Sequence, residues 1–214
     1  MTDAKIARMA FLAYRNASPA FRGLQTLRPS ICPIERLLRH IPPGSHALDV
    51  GCGAGLLLLA GASSGRVASG CGVDISERAV AAARKALAEL ATRSRLEFRC
   101  ASWLAWPEGP FDVVTLIDVM HHVPPGEQRV FFAAAAARVR PEGILLYKDM
   151  CARPWWKASA NRLHDLVLAR QWIHYVPLAE IRRWATELGF NVVGEEKYSR
   201  LWYGHELLAM QRAR

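Results

Sequence analysis

Three glycines follow an apolar run in "LDVGCGAG", residues 48–55. They are Gly51, Gly53 and Gly55, and each is separated from the next by one residue. A glycine loop between a strand and a helix lets a ligand approach the backbone closely, because no Cβ atom is in the way and the N–H groups at the helix start are unpaired. The loop predicts a nucleotide-type cofactor site; a tight turn without a ligand is the alternative.

Two aspartates support the cofactor interpretation. Asp74 ends the next apolar run, nineteen residues after Gly55, where a carboxylate can accept hydrogen bonds from both hydroxyls of a ribose. Asp118 ends a later apolar run. Because the carboxyl ends of parallel strands lie at one edge of a sheet, both side chains are expected beside the glycine loop.

The glycine spacing restricts the kind of nucleotide. A dinucleotide site requires G-x-G-x-x-G, but the position of the third glycine is Leu56. The G-K-[ST] sequence of a phosphate-binding loop is also missing from the chain. Binding of a pyrophosphate is therefore disfavoured.

Two adjacent histidines follow Asp118 in "DVMHHVPP". Histidine titrates near neutral pH, so His121 or His122 could remove a proton from a substrate at the mouth of the crevice. The alternative is that either residue caps a helix or packs under the cofactor.

The elements that must position these residues alternate between strand and helix. The predicted strands are "SHALDV", "SGCGVDIS", "RLEFR", "FDVVTLI" and "GILLYKD", with helices after most of them, and this alternation favours a mostly parallel sheet covered on both faces. A helix over "LAEIRRWATEL" is predicted to end at Gly189. Two last strands, "FNVVGEE" and "HELLAMQR", are joined by a predicted turn, "KYSRLWYG", that would expose Tyr198, Trp202 and Tyr203.

Four of these segments resemble, in order, the motifs of the class I S-adenosylmethionine-dependent methyltransferase family: "LDVGCGAG", "GVDIS", "FDVVTLIDVMHHVPP" and "VRPEGILLYKD". The resemblance is close over residues 46–150 and looser to the C-terminus. It implies a Rossmann-like α/β fold with a seven-stranded, mostly parallel sheet, helices on both faces and an antiparallel last strand. It also implies one domain over residues 1–214, with an N-terminal helical cap (1–40) and a substrate-cap insertion (150–176).

The resemblance further implies S-adenosylmethionine as the methyl donor, with S-adenosylhomocysteine as the product. Its methionine part would be held by Asp49 and by the backbone of Gly51, Cys52, Gly53 and Gly55. Asp74 would bind the ribose, Ile75 would cover one face of the adenine, and Asp118 and Val119 would complete the site. Many members bind the adenine amino group through an acidic residue after the third strand, whereas this chain has "CASW", so Ala101 or Ser102 must supply that contact.

Ubiquinone-type O-methyltransferases resemble this chain around Asp118 but have E-x-x-E-H, which can hold a divalent ion. This chain has D-x-x-H-H at Asp118, His121 and His122. These side chains are competent metal ligands, yet imidazole in place of a carboxylate disfavours Mg²⁺. No metal is therefore predicted.

Acceptor contacts are predicted from two segments outside these motifs. Residues 158–175 are predicted to form a helix whose polar face includes His164 and Trp172, followed by His174 and Tyr175; a plain solvated face is the alternative. Near the N-terminus, Tyr14 either contacts the acceptor or is buried, and Phe11 is expected to be buried.

The charge is unevenly distributed along the chain. Residues 1–40 have seven Lys or Arg against two acids, residues 41–152 have eleven of each, and residues 153–214 have ten against six. Basic flanks fit an anionic partner, or simply face water. The leading hypothesis is methylation of a small acceptor that is aromatic, lipid-like or tethered to an acidic carrier, with a hydroxyl favoured over a nitrogen or carbon atom. An RNA or protein methyltransferase is the alternative, so nucleic acid is a possible but less favoured partner, and a silent cofactor-binding module is a third hypothesis.

The overall composition is that of one globular domain, with 214 residues of which 51% are hydrophobic. The chain lacks an apolar run of the roughly 18 residues needed to span a bilayer, and its N-terminus lacks the pattern of a secretory signal. Its five cysteines show no paired C-x-x-C spacing and are interpreted as thiols. A cytoplasmic location is predicted, and the oligomeric state is left open.

Overall fold

The computed structural model describes residues 1–150, 174–200 and 203–214. In these ranges the chain forms a seven-stranded sheet. The strands are β1 (Ser45–Val50), β2 (Val67–Asp74), β3 (Arg95–Cys100), β4 (Phe111–Ile117), β5 (Val139–Met150), β6 (Phe190–Arg200) and β7 (Tyr203–Arg212). Their spatial order is β3-β2-β1-β4-β5-β7-β6, with β1 to β5 parallel and β7 antiparallel to both of its neighbours. The predicted fold class is confirmed.

Helices cover both faces of this sheet. They are α1 (Asp3–Ala13), α2 (Pro19–Ile31), α3 (Ile34–Arg39), α4 (Leu56–Ser63), α5 (Glu77–Ala88), α6 (Gln128–Ala137) and α7 (Leu178–Glu187). One apolar core lies between the sheet and helices α1, α3, α4 and α5, and a second lies between the sheet and helices α6 and α7. Adjacent strand residues point to opposite faces, so Leu146 belongs to the first core and Leu145 to the second. None of the helices in the described ranges has the length and apolar composition required to cross a membrane.

The local sequence accounts for the helix that follows the glycine loop. Every residue of α4 from Leu56 to Ala62 is buried, as expected for a helix that is apolar on all sides. Helix α5 begins at the predicted cap, where the Ser76 side chain accepts a hydrogen bond from the backbone N–H of Ala79. Gly189, in the left-handed conformation, follows α7 as predicted.

The N-terminal helices pack beside the glycine loop. Tyr14 is 2% exposed, and its hydroxyl donates to the carbonyl of Ala54 at 2.7 Å, so it is hydrogen-bonded to this loop. The expected burial of Phe11 was wrong, because its side chain is 47% exposed under the guanidinium of Arg22. Helix α1 instead buries Ile6, Ala10 and Ala13, a stripe of helical spacing that excludes residue 11.

The predicted C-terminal turn was also wrong in extent. Strand β6 continues to Arg200 and β7 begins at Tyr203, which leaves only residues 201 and 202, outside the described residues, between the strands. Tyr198 is not a turn residue, because it lies in the ladder opposite His205 and its ring is 5.1 Å from the imidazole. Aromatic residues are favoured in half-buried strands. The pairing of β6 with β7 therefore extends beyond the alternating apolar residues from which the two strands were predicted.

Candidate active site

The site forms where the strand order reverses. Strands β1 and β4 are neighbours in the sheet. The chain goes from β1 to β2 on one side of this pair and from β4 to β5 on the other side. The loops that follow them therefore separate and leave a crevice at the carboxyl edge of the sheet. A cavity of about 420 Å³ lies there, within the range of about 300–1,000 Å³ for small-molecule sites.

Most of the predicted cofactor-binding residues line this cavity, as does one of the two predicted bases. The lining consists of Val50, Gly51, Val73, Asp74, Ile75, Ala101, Ser102, Trp103, Trp106, Asp118, Val119, His122, Val123, Pro124, Glu127 and Phe131. Asp49 and Cys52 line a second cavity of about 40 Å³, which shares Gly51 with the first. Gly53 and Gly55 line neither of these two cavities. The structure thus brings most of the predicted set together at one edge of the sheet.

Asp74 connects the glycine loop to the end of β2. One carboxylate oxygen accepts from the backbone N–H of Gly53 and the other from that of Ser76, both at 2.8 Å. A carboxylate has about four acceptor sites, so lone pairs remain for the two hydroxyls of a ribose. Ile75 is 80% exposed beside it and lines the cavity, where its side chain could contact a flat apolar group.

The glycines of the loop differ in what their missing Cβ atoms allow. Gly55 has a φ of +82°, and a Cβ atom on it would lie 2.6 Å from the ring of Phe98, so glycine is required here by packing inside the protein. Gly53 has a φ of +52°, and a Cβ atom on it would meet no protein atom within 4 Å. The free space at Gly53 is therefore the place where a ligand could approach the loop backbone.

Asp49 is buried at the end of β1. Thr115 of β4 donates its hydroxyl to the Asp49 carboxylate at 2.6 Å. Burial raises the pKa of Asp49 to about 7, and the hydrogen bond from Thr115 only partly offsets this. Arg28 and Gln25 of α2 line the same small cavity. Sequence reasoning missed these two residues, because nothing in the motifs places α2 beside β1.

Asp118 is held by a buried lysine. The Nζ atom of Lys148 lies 2.6 and 2.7 Å from the two carboxylate oxygens, and Lys148 is 1% exposed. Burial alone would raise the pKa of Asp118, but the charge and hydrogen bonds of Lys148 outweigh it and lower that pKa. Asp118 has a φ of +54°, a conformation that few residues other than glycine adopt. The ion pair stabilises this strained backbone at the wall of the main cavity.

The two histidines point in different directions. His122 is exposed and lines the main cavity. His121 is 3% exposed, and its Nδ1 atom lies 2.5 Å from a carboxylate oxygen of Asp149. The two rings have centroids 4.1 Å apart. Both predicted bases are thus in the site, but only His122 lines the cavity.

Gln128 fastens the turn that carries both histidines. Its side-chain amide donates to the carbonyl of Val123 at 3.2 Å and to that of His174 at 2.9 Å. The backbone N–H of His174 donates to the carbonyl of His121 at 3.0 Å. The described chain resumes at His174, which is therefore attached to the histidine turn. Sequence reasoning missed Gln128, which was assigned only to a helix.

The predicted acceptor contacts are placed less completely. His174 is exposed, and the ring of Tyr175 lies 5.9 Å from that of His121, but neither residue lines the main cavity. His164 and Trp172 lie outside the described residues, as does nearly all of the predicted insertion over residues 150–176. The cavity has an aromatic wall that was not predicted, in which Trp106 and Phe131 meet edge to face at 4.8 Å.

These features define a Rossmann-like enzyme that binds one nucleoside-type cofactor. A carboxylate with remaining acceptor sites, an exposed apolar side chain beside it and an open glycine backbone fit S-adenosylmethionine without any pyrophosphate site. Comparison with known proteins agrees, since residues 27–195 match the family model described as a methyltransferase domain.

Individual relatives are consistent with this match. The ubiquinone biosynthesis O-methyltransferase of Thiobacillus denitrificans is 32% identical over 198 residues, 88% of this chain and 83% of that protein. The enzyme of the same name from Neisseria meningitidis serogroup A is 29% identical over 163 residues, 70% of this chain and 65% of that protein. The chain belongs to the S-adenosylmethionine-dependent methyltransferases, and S-adenosylmethionine is its cofactor.

Solved structures show the same fold. The magnesium protoporphyrin IX methyltransferase of Synechocystis with bound S-adenosylmethionine has a TM-score of 0.69 at 20% identity, covering 100% of this chain and 98% of that one. An O-methyltransferase family protein from Burkholderia thailandensis has a TM-score of 0.70 at 24% identity, covering 93% of this chain and 62% of that one. Both are similar to this chain in architecture.

Proposed function

We propose that this methyltransferase transfers a methyl group to a hydroxyl of a small aromatic acceptor of the phenol or quinol type, with His122 as the base. Relatives named for ubiquinone biosynthesis are O-methyltransferases, which supports a hydroxyl on such a ring. The observation that carries the proposal is that His122 lines the same cavity as Asp74 and Asp118. A hydroxyl oriented toward the methyl donor in this cavity would be within reach of an imidazole.

Each group of the site has a task in this reaction. The cofactor supplies a methyl group that is already activated on a sulfonium, so the protein must align the acceptor, exclude water and remove one proton. Asp74 would bind the ribose of the cofactor, the cofactor would approach the loop at Gly53, and Ile75 would contact its base. The wall formed by Trp103, Trp106 and Phe131 excludes water and offers flat apolar surface to an aromatic acceptor.

His121 has a different task from His122. It is buried, and one ring nitrogen is engaged by Asp149, so it is poorly placed to collect a proton from a substrate. Its contact with the ring of His122 and the hydrogen bond from His174 to its carbonyl make it a positioning residue in this proposal.

The surface charge favours a small acceptor over a polyanion. Three of the basic residues in the N-terminal flank form ion pairs within the protein: Arg15 with Glu89, Arg36 with Glu196 and Arg39 with Glu35. Cations neutralised in this way contribute less to binding a nucleic acid or an acidic carrier. We include a lipid-like tail on the acceptor in the proposal, since the cavity wall is mainly apolar, and a cytoplasmic location, which the free thiols of Cys32, Cys52, Cys71 and Cys100 support.

The test is release of S-adenosylhomocysteine with a panel of phenols, catechols and quinols. His122→Ala should lose roughly 10²- to 10⁴-fold in kcat with little change in cofactor affinity. The loss should shrink for a nitrophenol that is already ionised at the assay pH, because no proton then needs to be removed. His46→Ala is the matched control. His46 is an exposed histidine near the amino end of β1, and the cavity lies at the carboxyl ends of the strands.

Two results would contradict the proposal. An equal loss for the ionised and the neutral phenol would show that His122 does not act as the base. Turnover with tRNA or a protein, and none with any member of the panel, would refute the acceptor class while leaving the methyltransferase assignment intact.

A further inference from the structure

The proposed reaction does not explain why this chain has the sequence D-x-x-H-H at residues 118–122. Ubiquinone-type relatives resemble it with a set of ligands for a divalent ion, and in this chain Asp118, His121 and His122 are also competent ligands. A metal site needs these side chains to converge on one point with their lone pairs free. The structure shows what two of the three are bound to instead.

Asp118 is engaged on both of its oxygens. The ammonium of Lys148 lies 2.6 and 2.7 Å from them. It is therefore on the side from which a cation would neutralise the carboxylate. The backbone reinforces this pairing, because the N–H of Asp118 donates to the carbonyl of Lys148 at 2.8 Å. Lys148 comes from the neighbouring strand β5, where it is opposite Ile117 in the ladder. The pairing of β5 with β4 therefore fixes the position of Lys148, which is not a flexible residue on the surface.

His121 is directed away from Asp118. Its Nδ1 atom is 2.5 Å from Asp149, the residue that follows Lys148 on β5. Adjacent residues of a strand point to opposite faces of the sheet, so Lys148 and Asp149 hold Asp118 and His121 on different sides. The two would-be ligands cannot then meet on one ion without breaking one of these buried contacts.

We propose that Lys148 takes the place of a divalent cation in this site, so that the enzyme transfers its methyl group without a metal and uses an internal ammonium to position and neutralise Asp118. The inference rests on the residues of the cofactor site. It depends on the proposed function only for the identity of the reaction that this site performs. It accounts for the departure from E-x-x-E-H, since a second carboxylate at position 121 would have no metal to bind and would lie against Asp149.

A direct test is the electron paramagnetic resonance signal of Mn²⁺, which is lost when the ion binds to protein. Wild-type protein, with S-adenosylhomocysteine and without acceptor, should leave the signal of millimolar Mn²⁺ unchanged. Lys148→Met removes the ammonium but keeps the length of the side chain. It leaves an unpaired Asp118 carboxylate on the cavity wall that His122 also lines, so these two groups should bind Mn²⁺ at least about tenfold more tightly than wild type does. Lys148→Arg keeps the positive charge and should behave as wild type.

The proposal would be overturned by Mn²⁺ binding to wild type that Asp118→Asn abolishes, or by a folded Lys148→Met variant with no gain in Mn²⁺ affinity. Should Lys148→Met fail to fold, the wild-type measurement decides: an unchanged Mn²⁺ signal supports the proposal, and a loss of signal that Asp118→Asn abolishes overturns it. Methyl transfer by wild type should also be equal in EDTA and in Mg²⁺, and a loss of turnover in EDTA that Mg²⁺ restores would refute the idea. The Mn²⁺ measurement needs no acceptor, so a wrong acceptor class cannot affect it.

Discussion

Asp49 should make cofactor binding depend on pH. Burial raises its pKa to about 7 in the free protein, so near neutral pH the carboxyl is roughly half protonated. The methionine part of S-adenosylmethionine carries a cationic amino group and a sulfonium, and a nearby positive charge favours the ionised form of a carboxyl group. If Asp49 must ionise on binding, affinity falls about tenfold from pH 8 to pH 6, which corresponds to about 1.4 kcal/mol.

Titration calorimetry at pH 6, 7 and 8 measures this dependence. Repeating the pH 6 titration in two buffers with different heats of ionisation should show release of about one proton. Asp49→Asn should remove the Asp49 part of the dependence, and what remains belongs to the amino group of the ligand, which itself titrates near pH 8. Thr115→Val removes a hydrogen bond that lowers the pKa of Asp49, so the midpoint of the affinity profile should move to higher pH.

The same carboxyl group gives an independent check in the absence of cofactor. Its pKa is raised in the folded state, so the unfolded chain loses this proton first, and stability decreases as pH rises from about 4 to about 7. Asp49→Asn should flatten that part of a denaturant-unfolding profile. The reasoning fails if wild type and Asp49→Asn show the same pH dependence of both affinity and stability.

Three further results are expected. Gly53→Ala should weaken cofactor binding much more than it destabilises the fold, whereas Gly65→Ala, at a positive φ with equally open surroundings but at the other edge of the sheet, should cost about 1 to 2 kcal/mol of stability and no affinity. Asp74→Asn should weaken binding by about 1.5 to 3 kcal/mol in a titration, the worth of hydrogen bonds to a charged group. Gln128→Leu should destabilise the protein by about 1 to 3 kcal/mol in chemical denaturation and raise the KM for acceptor more than the Kd for cofactor, because carbonyls on the histidine turn and at residue 174 lose their donor. Equal effects of the two alanine variants on affinity, unchanged binding by Asp74→Asn, or an unchanged KM for Gln128→Leu would each contradict the corresponding expectation.

The fold was predictable because its signals are local. Short buried runs alternate with helical ones, and caps such as Ser76 and Gly189 mark helix ends within a few residues. The glycine loop, Asp74 and Asp118 could be placed together because all of them follow strands of one parallel sheet. The error at Phe11 concerns which face of α1 is buried, and the error at Tyr198 concerns where β6 ends. Both depend on packing and pairing with other elements and not on the local sequence.

The contacts between strands were not predictable from one sequence. Lys148 meets Asp118 only because β5 pairs with β4 in the register that sets Lys148 opposite Ile117. A shift of one residue would place Asp149 on that face instead. Likewise, the separation of His121 from His122 depends on a single turn of 3₁₀ helix over Met120–His122, which buries the first histidine and exposes the second. The residue types in the sequence were enough to predict the chemistry of the site. The register of strand pairing determines which of these residues performs that chemistry.

Three aspartates at neighbouring strand ends show how the site is prepared for a cationic ligand. Asp118 is neutralised by Lys148, Asp49 is partly protonated because it is buried, and Asp74 is held by two backbone N–H groups at the edge of the cavity. Before the cofactor binds, the site therefore avoids three unpaired carboxylates close together, which would repel one another. A ligand with a positive charge favours the ionised form of Asp49, whereas Asp118 is already paired with an ammonium. Loss of the methyl group removes the sulfonium charge, so the product should support the ionised form of Asp49 less well than the substrate does, and this difference favours release of S-adenosylhomocysteine after transfer.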